Sequence, residues 1–171
     1  MVAEWSQVGR RMVAGIGWFV FICGVIMVIR LKWQEAEKRV FVSKGDEDCF
    51  AKVIQAAARA SYADENSTKF DGKFRELLKY LTESINTDFR QFSIKDVYLT
   101  IHRTYLLFVL VTDDMEYNCD LEDRLSDLEL AVARNPDFSL ICLSALCLPP
   151  VSSDSMSSFL NSDYTLVFPH I

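Results

Sequence analysis

Eighteen consecutive residues without a charge, Met12 to Ile29, form the strongest hydropathy feature of this chain. Arg10 and Arg11 close the run on one side, and Arg30 and Lys32 on the other. As a helix it would measure about 27 Å, near the lower limit for crossing the hydrocarbon core of a bilayer. A single pass through lipid has to be helical, because each backbone amide then finds its partner inside the segment. A soluble core wide enough to enclose a helix apolar on all sides is hard to build from 171 residues. No small-x-small cleavage signal follows the run, which favours an uncleaved anchor over a signal peptide. Trp5 and Trp33 bracket it, where indole rings suit the membrane interface. The pattern therefore predicts a basic tail over 1–11, a transmembrane helix over 12–30 and a juxtamembrane helical extension over 31–44. Gly45 is expected to end that extension in a left-handed conformation.

Within the apolar run, Ala14, Gly17, Phe21 and Gly24 recur at spacings of three, four and three. Small groups along one helix face let a second helix approach closely, so these four are candidate interaction residues. Lys and Arg number two before the run and five just after it, which favours a cytoplasmic domain. A short basic tail is also how an amino-in anchor begins, so the side stays open.

Beyond Gly45 the periodicity changes. Phe50, Val53, Ile54, Ala57 and Ala60 predict a helix over 47–63, with Asp46 or Asp48 as its cap. Phe70, Phe74, Leu77, Leu78, Leu81 and Ile85 predict a second over 70–85. From Val97 to Thr112 the chain turns β-branched and aromatic, as one long strand or as a hairpin through His102-Arg103-Thr104. No Gly or Asn marks a tight turn there. The Tyr105–Val111 run is apolar without alternation, the pattern of a strand covered on both faces.

Leu121, Leu125, Leu128 and Val132 then follow at four, three and four, predicting a helix over 120–136 that Asn135-Pro136 stops. A strand over 138–148 comes next, and Tyr164–Phe168 can add an edge strand. Strand, helix and strand at this spacing form a βαβ crossover with parallel strands, expected right-handed. The expected fold is α+β: a single N-terminal transmembrane helix, then a small sandwich over 45–171 with three or four strands and three helices.

Charge sharpens this division. Residues 1–44 hold seven basic and three acidic groups, net +4, whereas 45–171 hold eleven and twenty-one, net −10. So acidic a domain is poorly suited to track a nucleic-acid backbone, and the six tyrosines form no regular stacking array. Five cysteines include no C-x-x-C pair, so zinc and thioredoxin-like signatures are absent. Buried free thiols are the expectation for Cys142 and Cys147.

Asp113, Asp114 and Glu116 are the candidate metal ligands. They lie where a strand ends and a crossover helix begins, the usual ligand position in open α/β sheets. The calcium-loop spacing fails, since Asn118 stands where Gly is needed. No Walker, dinucleotide or G-x-S-x-G motif is present. Cys119, His102 and Asp113 complete no recognisable triad.

No cofactor is implied. The sequence reading is a membrane-anchored, non-catalytic subunit of a membrane complex, partnered by the bilayer and by integral membrane proteins or its own copies. Besides the small-residue seam, the acidic helix face of Glu122, Asp123 and Asp127 supplies contact residues. The alternative is a membrane-tethered enzyme, or a metal- or nucleotide-binding domain built on the acidic cluster.

Overall fold

The computed structural model describes residues 28–61, 68–157, 159–160 and 164–169. Its first element overturns the anchor. Val28–Arg30 is a strand, β1, parallel to the last strand, with Ile29 beside Leu166. Ile29 is 1% exposed, and the Leu31 N–H donates to the Val167 carbonyl at 2.9 Å. The carboxyl end of the apolar run is thus held in the protein's own sheet. A helix over 12–30 cannot continue through these residues; 12–27 lie outside the described residues, as do Ala14, Gly17, Phe21 and Gly24.

The helical extension expected over 31–44 is also corrected. Lys32–Gln34 (β2) and Arg39–Phe41 (β3) pair antiparallel, Trp33 opposite Val40, as a separate two-stranded hairpin. Its polar loop, Glu35 to Lys38, closes with Lys38 at φ 48°. Glu35, Lys38 and Arg39 read as the wet side of a helix, yet β-branched and aromatic Trp33, Val40 and Phe41 favour strands. Gly45 does not adopt positive φ. Among the described residues no helix is long and apolar enough to cross a membrane. The reading of a single-pass anchor is corrected accordingly, and with it the bilayer context and the membrane-protein partners.

What remains is a small mixed α/β domain. Helices α1 (Glu47–Ala60) and α2 (Thr68–Thr87) precede β4 (Ile94–His102) and β5 (Tyr105–Thr112). Helix α3 (Cys119–Arg134) and a 3-10 turn at Pro136–Phe138 lead to β6 (Leu143–Leu148). A short helix α4 (Ser153–Ser157) and β7 (Thr165–Val167) complete it. The five-stranded sheet runs β1-β7-β4-β5-β6. β4 is antiparallel to both β5 and β7, while β5 and β6 are parallel across the α3 crossover.

The β4–β5 hairpin closes on the His102–Tyr105 pair, leaving a two-residue loop with Arg103 at φ 54°. A tight two-residue turn with one residue at positive φ is therefore made without Gly or Asn. The strand expected over 138–148 begins only at Leu143, because Asn135 caps the 3-10 turn by accepting the Asp137 N–H at 2.9 Å.

One face of the sheet carries α1, α2 and α3 in a single apolar cluster. The stripe of α2 is buried throughout, as are Leu121, Leu125, Leu128 and Val132 of α3. Each of those leucines contributes about 1.5–3 kcal/mol by leaving water. The opposite face has its own cluster of Leu107, Val109 and Val111 under Met156 of α4. That explains why Tyr105–Val111 shows no alternation: both faces of β5 are covered. Tyr98 also lies on this second face, where burial first and Asp96 second raise its phenol above the ordinary value, with Arg30 opposing.

Candidate functional site

The acidic residues at the end of β5 do not converge. Asp113, Asp114 and Glu116 are all exposed, and among the described residues no three His, Cys, Asp or Glu side chains gather to hold a metal. Their loop is nonetheless firmly rooted. The Thr112 hydroxyl donates to the Asp114 carbonyl at 2.9 Å, and the Asp113 N–H donates to the Ser93 carbonyl at 2.9 Å. At the far end Asn118, not an acid, caps α3 by accepting the Leu121 N–H at 3.1 Å. Between these roots Met115 is 77% exposed and Tyr117 75%. The loop lines a 380 Å³ hollow with Phe92 and Leu121. On α3, Asp123 and Asp127 are exposed and Glu122 is half-buried.

His102, the last residue of β4, pairs with Tyr105 at the start of the eight-residue strand β5, and Asp113 follows the far end of that strand. Seven strand steps separate those ends by about 23 Å, so no Cys119–His102–Asp113 triad forms. The His102 ring instead packs on Tyr105, with centroids 5.1 Å apart. Cys142 proves exposed rather than buried, because it precedes β6 instead of lying within it. Cys147 is half-buried against the main core, and burial first, then Glu122, pushes its thiol upward.

A concave site appears where the sequence offered none. The β2–β3 hairpin folds against α2, and with α1 the two enclose a 650 Å³ cleft. Phe50, Leu78 and Val40 form its apolar floor, the first two almost fully buried. Lys38, Arg39, Arg75 and Lys79 face it, against only Glu47 and Glu76. Arg75 is already engaged: its Nε donates to Asp71 Oδ1 at 3.0 Å, one helical turn away, and its guanidinium covers the Phe50 ring at 5.0 Å. Phe50 is in turn held by Phe74, centroids 6.3 Å apart. Lys38, Arg39 and Lys79 have no ion-pair partner among the described residues.

Two further hollows flank α2 and do not share this balance. One, of 610 Å³, sets Lys69, Lys73 and Lys79 against Glu76, Glu83 and Asp137 over a Tyr80–Phe138 ring pair. The other, of 850 Å³ under the hairpin, sets Lys38 and Arg90 against Glu35, Glu83 and Asp88. Of these three hollows around α2, cations outnumber carboxylates only in the first.

Comparison with protein-family models, curated proteins and solved structures finds no match. The chemistry of the cleft therefore rests on its own residues. An apolar floor ringed by an excess of cations suits a ligand that is anionic at its rim and apolar at its centre. The sequence pattern conceals the cleft because it places Lys38 and Arg39 on a helix leaving a membrane. The available signal was Trp33-x6-Val40-Phe41, two apolar clusters around a polar loop, which also describes a hairpin.

Proposed function

We propose that this domain is a binding module whose cleft between the β2–β3 hairpin and α2 takes a short acidic peptide segment with an apolar or aromatic side chain. The supporting observation is the pairing of three cations, Lys38, Arg39 and Lys79, that have no ion-pair partner among the described residues, with the buried floor of Phe50 and Leu78. Arg75 acts as part of the wall, fixed by Asp71 and Phe50, so its charge is oriented before a ligand arrives.

The net charge of −6 bears on ligand size. A long polyanion tracking the surface would meet mostly carboxylates, whereas a short segment confined to the cleft meets an excess of cations. Exposed charge pairs contribute only about 0.2–1 kcal/mol each, so steering and orientation come from the cations and much of the affinity from the buried apolar anchor.

Fluorescence anisotropy of a labelled acidic peptide carrying one tyrosine tests the reading, with a lysine-containing peptide of equal length as control. The acidic peptide is expected to bind and Arg39→Glu to weaken it about tenfold, or ~1.4 kcal/mol. Raising ionic strength from about 0.1 M to about 1 M shortens screening from about 10 Å to about 3 Å and should weaken binding further. Equal affinity for both peptides, insensitive to Arg39→Glu, refutes the proposal.

A further inference from the structure

The ligand that the cleft calls for has a counterpart on the same chain. The loop between β5 and α3 reads Asp113-Asp114-Met115-Glu116-Tyr117-Asn118, and no basic residue occurs before Arg124. Its two large apolar side chains, Met115 and Tyr117, are the most exposed large hydrophobics among the described residues. An exposed pair of this kind, ringed by one sign of charge, marks a contact surface more than a random surface does. The loop is also held in shape at both roots, by Thr112 and by the Asn118 cap, so little conformational freedom is lost when it docks.

We propose that the chain associates head to tail, the Asp113–Asn118 loop of one copy entering the basic cleft of a second copy. This rests on the reading of the cleft as a site for acidic, apolar segments and names its occupant. Tyr117 or Met115 reaches the Phe50–Leu78 floor, while Asp114 and Glu116 meet Lys38, Arg39 and Lys79. The 650 Å³ of the cleft accommodates such a side chain with its flanking backbone. Glu122 and Asp123, at the start of α3, extend the acidic surface beside the loop.

Loop and cleft share no residue, so the contact is heterologous. Each joined pair still offers one free loop and one free cleft, which either close on each other in a reciprocal dimer or recruit further copies. Opposite charges on the two surfaces steer the approach and disfavour loop against loop.

Sedimentation velocity of the full-length chain over a range of concentrations tests this, with two variants. Lys38→Glu with Arg39→Glu spoils the cleft and leaves the loop; Met115→Ser with Tyr117→Ser spoils the loop and leaves the cleft. The wild-type chain is expected to gain mass with concentration and to lose that gain at high salt. Each variant alone should remain monomeric, and an equimolar mixture should form a dimer that grows no further. All substituted side chains but one lie at exposed loop positions, the exception being Arg39 on the exposed side of β3, and unchanged thermal midpoints would confirm folding. A wild-type chain that stays monomeric overturns the proposal. If the labelled acidic peptide still binds, the cleft reading survives that result; if it does not, both fail. Association that both variants retain on their own overturns the self-docking as well.

Discussion

The Glu129 carboxylate on α3 accepts the backbone N–H of Ala145 on β6, and the Ser144 hydroxyl donates to the same oxygen at 3.1 Å. Among the described residues β6 pairs with β5 on one side only, and the Ala145 amide on its outer edge is taken up by Glu129. Unpaired edges recruit other strands, and an inward-pointing charge is one of the ways proteins blunt them. Glu129→Ala should lower stability by about 1.5–3 kcal/mol, the scale of hydrogen bonds to a charged group. It should also increase light scattering at high concentration, while Glu129→Gln keeps an acceptor and loses less. Urea unfolding with parallel scattering measurements checks both effects.

Arg103 closes the β4–β5 hairpin at φ 54°, a region that costs an L side chain about 1–2 kcal/mol. Arg103→Gly removes that strain but gives the unfolded chain more freedom, by about 0.5–1 kcal/mol. The expected outcome is a gain of up to about 1 kcal/mol in thermal unfolding. Arg103→Val, β-branched at the same position, should destabilise. A glycine variant less stable than the valine one would contradict the turn geometry.

The free thiols should separate by accessibility. Cys119 and Cys142 are exposed, whereas Cys49 and Cys147 are half-buried. Burial and then Glu122 hold the Cys147 thiol above its ordinary value, so less thiolate is present at any given pH. Because the folded pKa is raised, the stability linked to this group persists below its unfolded value and declines as pH rises through the folded one. With a disulfide reagent near pH 8, the expected order is Cys119 and Cys142 first and Cys147 last. Peptide mapping of labelled sites reads the order directly.

Periodicity made the helical part of the fold legible. The α2 stripe from Phe70 to Ile85 and the α3 stripe from Leu121 to Val132 both face the core. Leu125 illustrates the contrast that follows: Leu125→Ala should cost about 2–5 kcal/mol, and Asp123→Ala less than about 0.5 kcal/mol. The amino-terminal elements were not legible, because an apolar run does not reveal where a helix would give way to a strand. Ile29 pairs with a segment 137 positions later in the chain, at Leu166, a contact that no local pattern contains. The cleft was hidden for the same reason. Its cations come from the hairpin and from α2, and only the packing of one on the other brings Lys38 and Arg39 near Lys79.

Chemical-shift mapping of the isotope-labelled chain during titration with an acidic, tyrosine-containing peptide probes the cleft residue by residue. Saturable shifts are expected at Lys38, Arg39, Val40, Phe50 and Lys79, with the far face of the sheet around Leu107 and Val109 unchanged. Shifts that centre on Lys69 and Lys73, that scatter over the surface, or that are missing at saturating peptide would contradict binding in the cleft.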